Sequence, residues 1–192
     1  MYDDEFELTF DLSDKDEASR APEPEQEPVQ EAAPEPAAET EPPVESVPEP
    51  AVPAANGRCV LISGGDRGIG AAAARAFWQA GYRVAVLYHT HAEAAAALEK
   101  ELPGLLAVQC DVASRASCEV AFHTVEQAVG HVDVLVSNAG IAQQKLFTDI
   151  TPEEWQHMLD VNLSGAFHLC QLALPGMIRR KAGRILTVSS LA

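Results

Sequence analysis

Residues 59–80, CVLISGGDRGIGAAAARAFWQA, decide the fold. An apolar run ending at Ser63 passes into a turn with glycines at 64, 68 and 70, and an Ala-rich stretch with helical character follows over 69–80. Glycine at such a turn lets the backbone approach a pyrophosphate, while the helix behind it presents free N–H groups and the positive end of its dipole. A glycine string alone is a weak signal. Its place between a strand and a helix, at the head of a βαβ unit, makes it informative.

The same unit recurs along the chain. Apolar runs at CVLIS (59–63), RVAVLY (83–88), LLAVQC (105–110), VDVLVS (132–137) and RILTVS (184–189) alternate with helical stretches at 69–80, 92–102 and 115–129. Runs that are apolar on both faces suit central strands of a parallel sheet covered by helices. Gly81, Pro103 with Gly104, and Gly130 stop the three helices. Thr151, Pro152 and Glu154 supply an N-cap, a first-turn proline and a carboxylate at N3, so another helix starts there. Its side chains Trp155, Met158 and Leu159 are expected to face the sheet, and Gly165 in VNLSGAF to permit close packing. In the next helical segment Pro175 is expected to bend the helix. Arg179, Arg180 and Lys181 read as a solvated C-terminal end, with Gly183 as the stop.

Charge divides the chain in two. Residues 1–56 hold 17 acidic residues against Lys15 and Arg20, together with ten of the 13 prolines, and carry nearly all of the net charge of -16. Such a segment cannot bury enough apolar surface to offset its ordering entropy, so a disordered acidic arm is expected over 1–56 and one folded domain over 57–192. In the opening MYDDEFELTFDLSD, Tyr2, Phe6, Leu8, Phe10 and Leu12 alternate with polar residues, as in a peptide that docks on a sheet edge or groove; a solvated tail is the plainer reading. What the arm would contact is unknown from sequence. Its sign argues against nucleic acid. No run is long and apolar enough to span a membrane and no secretory signal opens the chain, so a cytoplasmic protein is expected. Cys59, Cys110, Cys118 and Cys170 lack metal-ligand spacing and read as reduced thiols within apolar patterns, and no metal site is expected.

The spacing of the glycines is G-x-x-x-G-x-G. Together with NAG at 138–140 and VSS at 188–190, it resembles the short-chain dehydrogenase/reductase family, and the resemblance covers residues 57–192. The fold it implies is α/β, a Rossmann-like doubly wound parallel sheet, here stopping after the fifth strand. In the implied coenzyme site Ser63 stands where threonine is usual, and Gly64, Asp66, Arg67, Gly68, Ile69 and Gly70 form the loop. Asp111, with Val112 beside it, contacts the adenine. Asn138, Ala139 and Gly140 match most of the NNAG signature, whose first asparagine is replaced by Ser137. Asn162 matches the asparagine that holds a water of the proton relay at a break between two helices, or else is a helix-interior cap or kink residue. Ser190 matches the serine that hydrogen-bonds the substrate carbonyl, with Ser189 or a strand-end role as the rival.

Coenzyme choice is argued from charge. An acid at the end of the second strand would accept from the ribose hydroxyls of NAD. VAVLYHT has none, and Arg67 can pair with a 2′-phosphate or lie on the surface, so NADPH is favoured. The implied reaction is hydride transfer to a carbonyl carbon of a small or carrier-attached substrate, with a proton delivered to the oxygen.

The family's proton donor is the tyrosine of a Tyr-x-x-x-Lys motif after the serine, whereas the tyrosines here are Tyr2, Tyr82 and Tyr88. Lys145 lies in a loop bordering the implied substrate cleft without a tyrosine beside it. The chain is therefore expected to be the front portion of a longer reading frame, with little or no reductase activity as written. The stretch 138–167 is similar to 3-oxoacyl-acyl-carrier-protein reductases and to reductases of the 5-aminopentanone modification of elongation factor P. The alternatives are a non-catalytic nucleotide-binding or interaction module and a degraded remnant. Family members are commonly homo-oligomers, but assembly is not inferable from these residues.

Overall fold

The computed structural model describes residues 56–190. The arm expected over 1–56, with the apolar alternation of its first residues, lies outside them apart from Asn56. That residue belongs with the folded unit: its N–H donates to the Gly81 carbonyl and its side-chain amide to that of Ala80. It closes the C-terminal end of the first helix.

Every residue of β1 (Cys59–Ser63) is buried, because the strand is covered on both faces. Around it lie β2 (Arg83–Tyr88), β3 (Leu106–Gln109), β4 (Val132–Ser137) and β5 (Arg184–Thr187), all parallel, in the order β3-β2-β1-β4-β5. The helices are α1 (Gly68–Gln79), α2 (Ala92–Glu101), α3 (Arg115–Val129), α4 (Pro152–Leu159) and α5 (Gly165–Arg180). Period-two alternation sorts the strand side chains. Val60, Ile62, Val84, Val86, Val134 and Val136 pack with Ala71, Ala74 and Trp78 of α1 and Leu98 of α2. Cys59, Leu61, Ala85, Leu87 and Leu135 pack with Phe122 and Val125 of α3 and Leu169, Ala173 and Met177 of α5. Each fully buried Val, Leu or Ile contributes about 1.5–3 kcal/mol, so these two layers set the architecture. The doubly wound parallel sheet is the one the sequence implies.

The strand order reverses between β1 and β4. After β3 the chain crosses to the far side of β1, so the chain leaves β1 and β4 at the point where the strand order reverses. A crevice at such a switch point is where open α/β sheets bind ligands.

Several local expectations are corrected. Trp155 is 53% exposed rather than directed at the sheet; α4 buries no residue fully, and Met158 and Leu159 are only half-buried. No break separates α4 from α5. The backbone continues through a π-helical turn at Asp160–Ser164, which keeps helical dihedrals at both ends. α5, which carries Pro175 in its interior, ends at Lys181, whose left-handed φ of 51° closes it; the stop is not Gly183. Gly183 is needed for packing instead, since a Cβ there would overlap the Met177 side chain. Arg180 is not a solvated end: it donates to the Val132 carbonyl at 2.8 Å and lies 3.7 Å from Asp133. β3 and β5 are shorter than their apolar runs, and all four residues of β5 are exposed at the sheet edge. Among the described residues, no helix is long and apolar enough to cross a membrane.

Candidate functional site

The crevice is built on one hydroxyl. Ser63, fully buried at the end of β1, accepts from the backbone N–H groups of Asn138 and Ala139, both at 3.0 Å. In return the Asn138 amide donates to the carbonyls of Ser63 (3.0 Å) and Gly64 (2.9 Å). Four hydrogen bonds thus clasp the loops that leave β1 and β4. Glycine is required within the clasp. Gly64 has φ +61° and lies close against Ala139, while a Cβ on Gly70 would overlap the Gly64 carbonyl oxygen and stand 2.7 Å from the Asn138 amide nitrogen.

The same packing presents the start of α1 to the crevice. Its N-cap, Arg67, is extended and makes no side-chain cap hydrogen bond, so no side chain takes the first-turn amides. Such amides, with the helix dipole behind them, favour an anion. Gly68 has φ +53° and open space where a Cβ would project, which leaves the backbone accessible.

The crevice has a volume of about 360 Å³. Gly64, Asp66, Arg67, Gly68 and Ile69 line it on one side, Asp111 and Val112 on another, and Asn138, Ala139 and Gly140 on a third. Ser63 and Gly70 are not wall residues and hold the wall in place. Asn162 stands behind the β4 loop: its side chain accepts from the Ile141 N–H at 2.8 Å, donates to the Ile141 carbonyl at 3.0 Å, and abuts Gly140. Ser190, three residues beyond β5, is exposed and does not line the crevice. Lys145 forms an ion pair with Glu154, the residue that completes the capping box of α4, and so ties the loop after β4 to that helix. Lys145 and the Thr151 N–H hold the Glu154 carboxyl below its ordinary range.

Sequence reasoning missed the wall contributed by β2. His89, Thr90 and His91 line the crevice, as do Cys110, Ile141 and His157. Asp66 is 9% exposed, and its Oδ2 is buried without a hydrogen-bond partner. His91 Nδ1 lies 3.6 Å from that oxygen, while His91 Nε2 is 3.3 Å from the Arg67 guanidinium. An acid, a histidine and an arginine therefore meet at the mouth.

At the wall that follows β3 the Asp111 carboxylate accepts from the Ala113 N–H, and Ser117 Oγ accepts from the Asp111 N–H. Cys110 and Cys118 lie 4.0 Å apart, and hydrogen bonding with Cys118 and Ser117 draws the Cys110 thiol below its ordinary value. The same contact and burial push Cys118 up, and burial raises Cys59 to about 11. Among the described residues, no group of three or more His, Cys, Asp or Glu is arranged to hold a metal.

A short chain dehydrogenase family model matches residues 58–192. The chain belongs to the short-chain dehydrogenase family. It is 39% identical over 134 residues to an acetoacetyl-CoA reductase of Paracoccus denitrificans, covering 70% of this chain and 55% of that protein. It is 38% identical over 135 residues to the 3-oxoacyl-[acyl-carrier-protein] reductase MabA of Mycobacterium tuberculosis, covering 70% and 51%. Among solved structures it is similar to a short-chain dehydrogenase from Novosphingobium aromaticivorans, with a TM-score of 0.65 and 30% identity over 70% of this chain and 53% of that one. The chain thus spans about half the length of the relatives it matches. The family frame gives the crevice its expected tenant, a dinucleotide. The uncapped helix start, the glycines that admit backbone contact and the buried Asp66 oxygen that accepts no hydrogen bond fit one.

Proposed function

We propose that this chain is the coenzyme-binding portion, residues 57–192, of a nicotinamide-dependent reductase that converts a carbonyl to an alcohol. The observation that carries the reading is the clasp of Ser63, Asn138 and Gly70, which holds the uncapped start of α1 open to an anion at the switch point. The first-turn amides around Gly68 take the pyrophosphate, and Asp111 with Val112 takes the adenine side. Arg67 is suited to a 2′-phosphate, and β2 ends without an acid, which favours NADPH over NADH. When bound, the nicotinamide supplies a hydride.

Asn162 holds the Ile141 backbone and with it the loop below the nicotinamide end, and keeps a water of the proton path in position. Ser190 orients the substrate oxygen and stabilises charge developing on it. The substrate class we put first is a 3-oxoacyl thioester, on a small carrier or a protein, because relatives with 38–39% identity carry those names.

Titration calorimetry of the chain with NADPH and with NADH tests the first half. Micromolar binding of either is the expected result, and no heat from a folded protein refutes it. The second reading, a module that binds the nucleotide without turning it over, is favoured by Ser190 lying outside the crevice walls. Oxidation of NADPH on adding acetoacetyl-CoA separates the two.

A further inference from the structure

We infer that Asp66 is the acid that reads the coenzyme's ribose, and that it works against Arg67, so that the preference for NADPH over NADH is narrowed to a small factor. This deepens the proposed function and rests on it. The sequence has no acid at the end of β2, the usual source of a ribose-accepting carboxylate. The structure brings one there from the glycine loop. Asp66 is 9% exposed and lines the crevice, and its carboxylate lies 3.6 Å from His91, the third residue beyond β2. The parallel pairing that sets Ser63 opposite Leu87 carries the two loops side by side.

The carboxylate is poised for a ligand. Its Oδ2 is buried and accepts no hydrogen bond, and 3.6 Å to His91 Nδ1 is too long for one. A buried carboxylate oxygen in that state is satisfied by a hydroxyl donor and opposed by a second anion. His91, whose side chain is 47% exposed, can move aside to admit the hydroxyl. A ribose diol supplies donors, whereas a 2′-phosphate adds negative charge beside Asp66. Arg67 answers that phosphate, but its guanidinium is also engaged with His91 Nε2. The two opposed preferences belong to adjacent residues, and removing either one exposes the other.

The test is the ratio of dissociation constants for NADH and NADPH, measured by calorimetry on the full chain, in wild type, Asp66→Asn, Asp66→Ser and Arg67→Gln. Loss of folded protein lowers both apparent affinities by one factor, so the ratio is insensitive to it. The wild-type ratio is expected within about tenfold of unity. Asp66→Asn and Asp66→Ser should each shift it toward NADPH by about tenfold or more, the size expected for relief of a like-charge contact. Arg67→Gln should shift it toward NADH. Adenosine 2′-phosphate as a competitor should gain affinity in the same Asp66 variants. An unchanged ratio in both Asp66 variants, with both coenzymes still bound, overturns the inference while leaving the proposed function standing. No binding of either coenzyme to folded wild type removes both.

Discussion

Replacing Ser63 by alanine deletes one oxygen and strands two donors. The N–H groups of Asn138 and Ala139 both point at Ser63 Oγ, at 3.0 Å, in a position closed to water because Ser63 is fully buried. Each unsatisfied buried donor costs about 1–3 kcal/mol, so the pair is worth about 2–6 kcal/mol. A domain has about 5–15 kcal/mol in all, so the variant should still fold at low temperature but with a large share of its stability gone. With a urea dependence of about 2 kcal/mol per molar, the unfolding midpoint should fall by about 1–3 M. Circular dichroism in urea measures this. Ser63→Thr keeps the hydroxyl and restores the residue usual in the family, so its midpoint should stay near wild type. Hydrogen exchange adds a local readout: the amides of residues 138 and 139 should lose protection in the alanine variant beyond the global change. A Ser63→Ala midpoint equal to wild type would show that the clasp does not hold β1 to β4, and the account of the crevice would fail with it.

Gly70→Ala forces a methyl onto the Gly64 carbonyl and the Asn138 amide. Overpacking of this kind costs about 1–3 kcal/mol, and calorimetry should show coenzyme affinity falling by more than the stability loss explains. Arg75 holds Glu101 through two bonds, at 2.6 and 2.7 Å, and its hydrogen bonds lower the Glu101 pKa. Both side chains are nearly half exposed, so Arg75→Gln should cost only about 0.5 kcal/mol. A depressed carboxylate contributes above its unfolded-state value and loses that contribution as pH falls through the folded-state value. The thermal midpoints of Arg75→Gln and wild type should therefore differ near neutral pH and converge in acid below the ordinary glutamate range. Asn162→Ala frees both backbone groups of Ile141, and mass spectrometry should find faster exchange over residues 139–146 with little change in β1.

Much of this was legible because it is local. Strand runs that are apolar on both faces announced the buried parallel sheet, and Thr151, Pro152 and Glu154 spelled out a capping box whose two hydrogen bonds both form. The glycines at 64, 68 and 70 marked the crevice. What was not legible depends on contacts between distant segments. Asp66 and His91 are 25 residues apart, and only the β1–β2 register makes them neighbours. Trp155 looked like a core residue by its apolarity, yet α4 packs too lightly to bury it. Lys181 gave no signal of the left-handed helix end because Gly183, two residues on, was the expected stop; that glycine is instead required by Met177. Asn56 reads as the last polar residue of an acidic segment, and its capping of α1 is set by the return of the chain at Gly81.

The turn at Asp160–Ser164 shows how one irregularity serves the crevice. A sequence with an asparagine and a nearby glycine between two helical periods reads as a break, but a break would free backbone groups that need partners. A π-helical turn adds a residue without ending the helix, so α4 and α5 stay continuous while the side chains after the insertion rotate about the axis. Asn162, inside that turn, meets Ile141 with both a donor and an acceptor, a pairing that fits a backbone segment in only one orientation. Three residues later Gly165 packs so closely on Val112 that a Cβ would stand 2.9 Å from its Cγ2. The insertion therefore fixes two walls at once, the loop after β4 through Asn162 and the loop after β3 through Gly165. Both walls meet at the crevice, so its shape follows from the helix packed behind it as much as from the glycine loop in front.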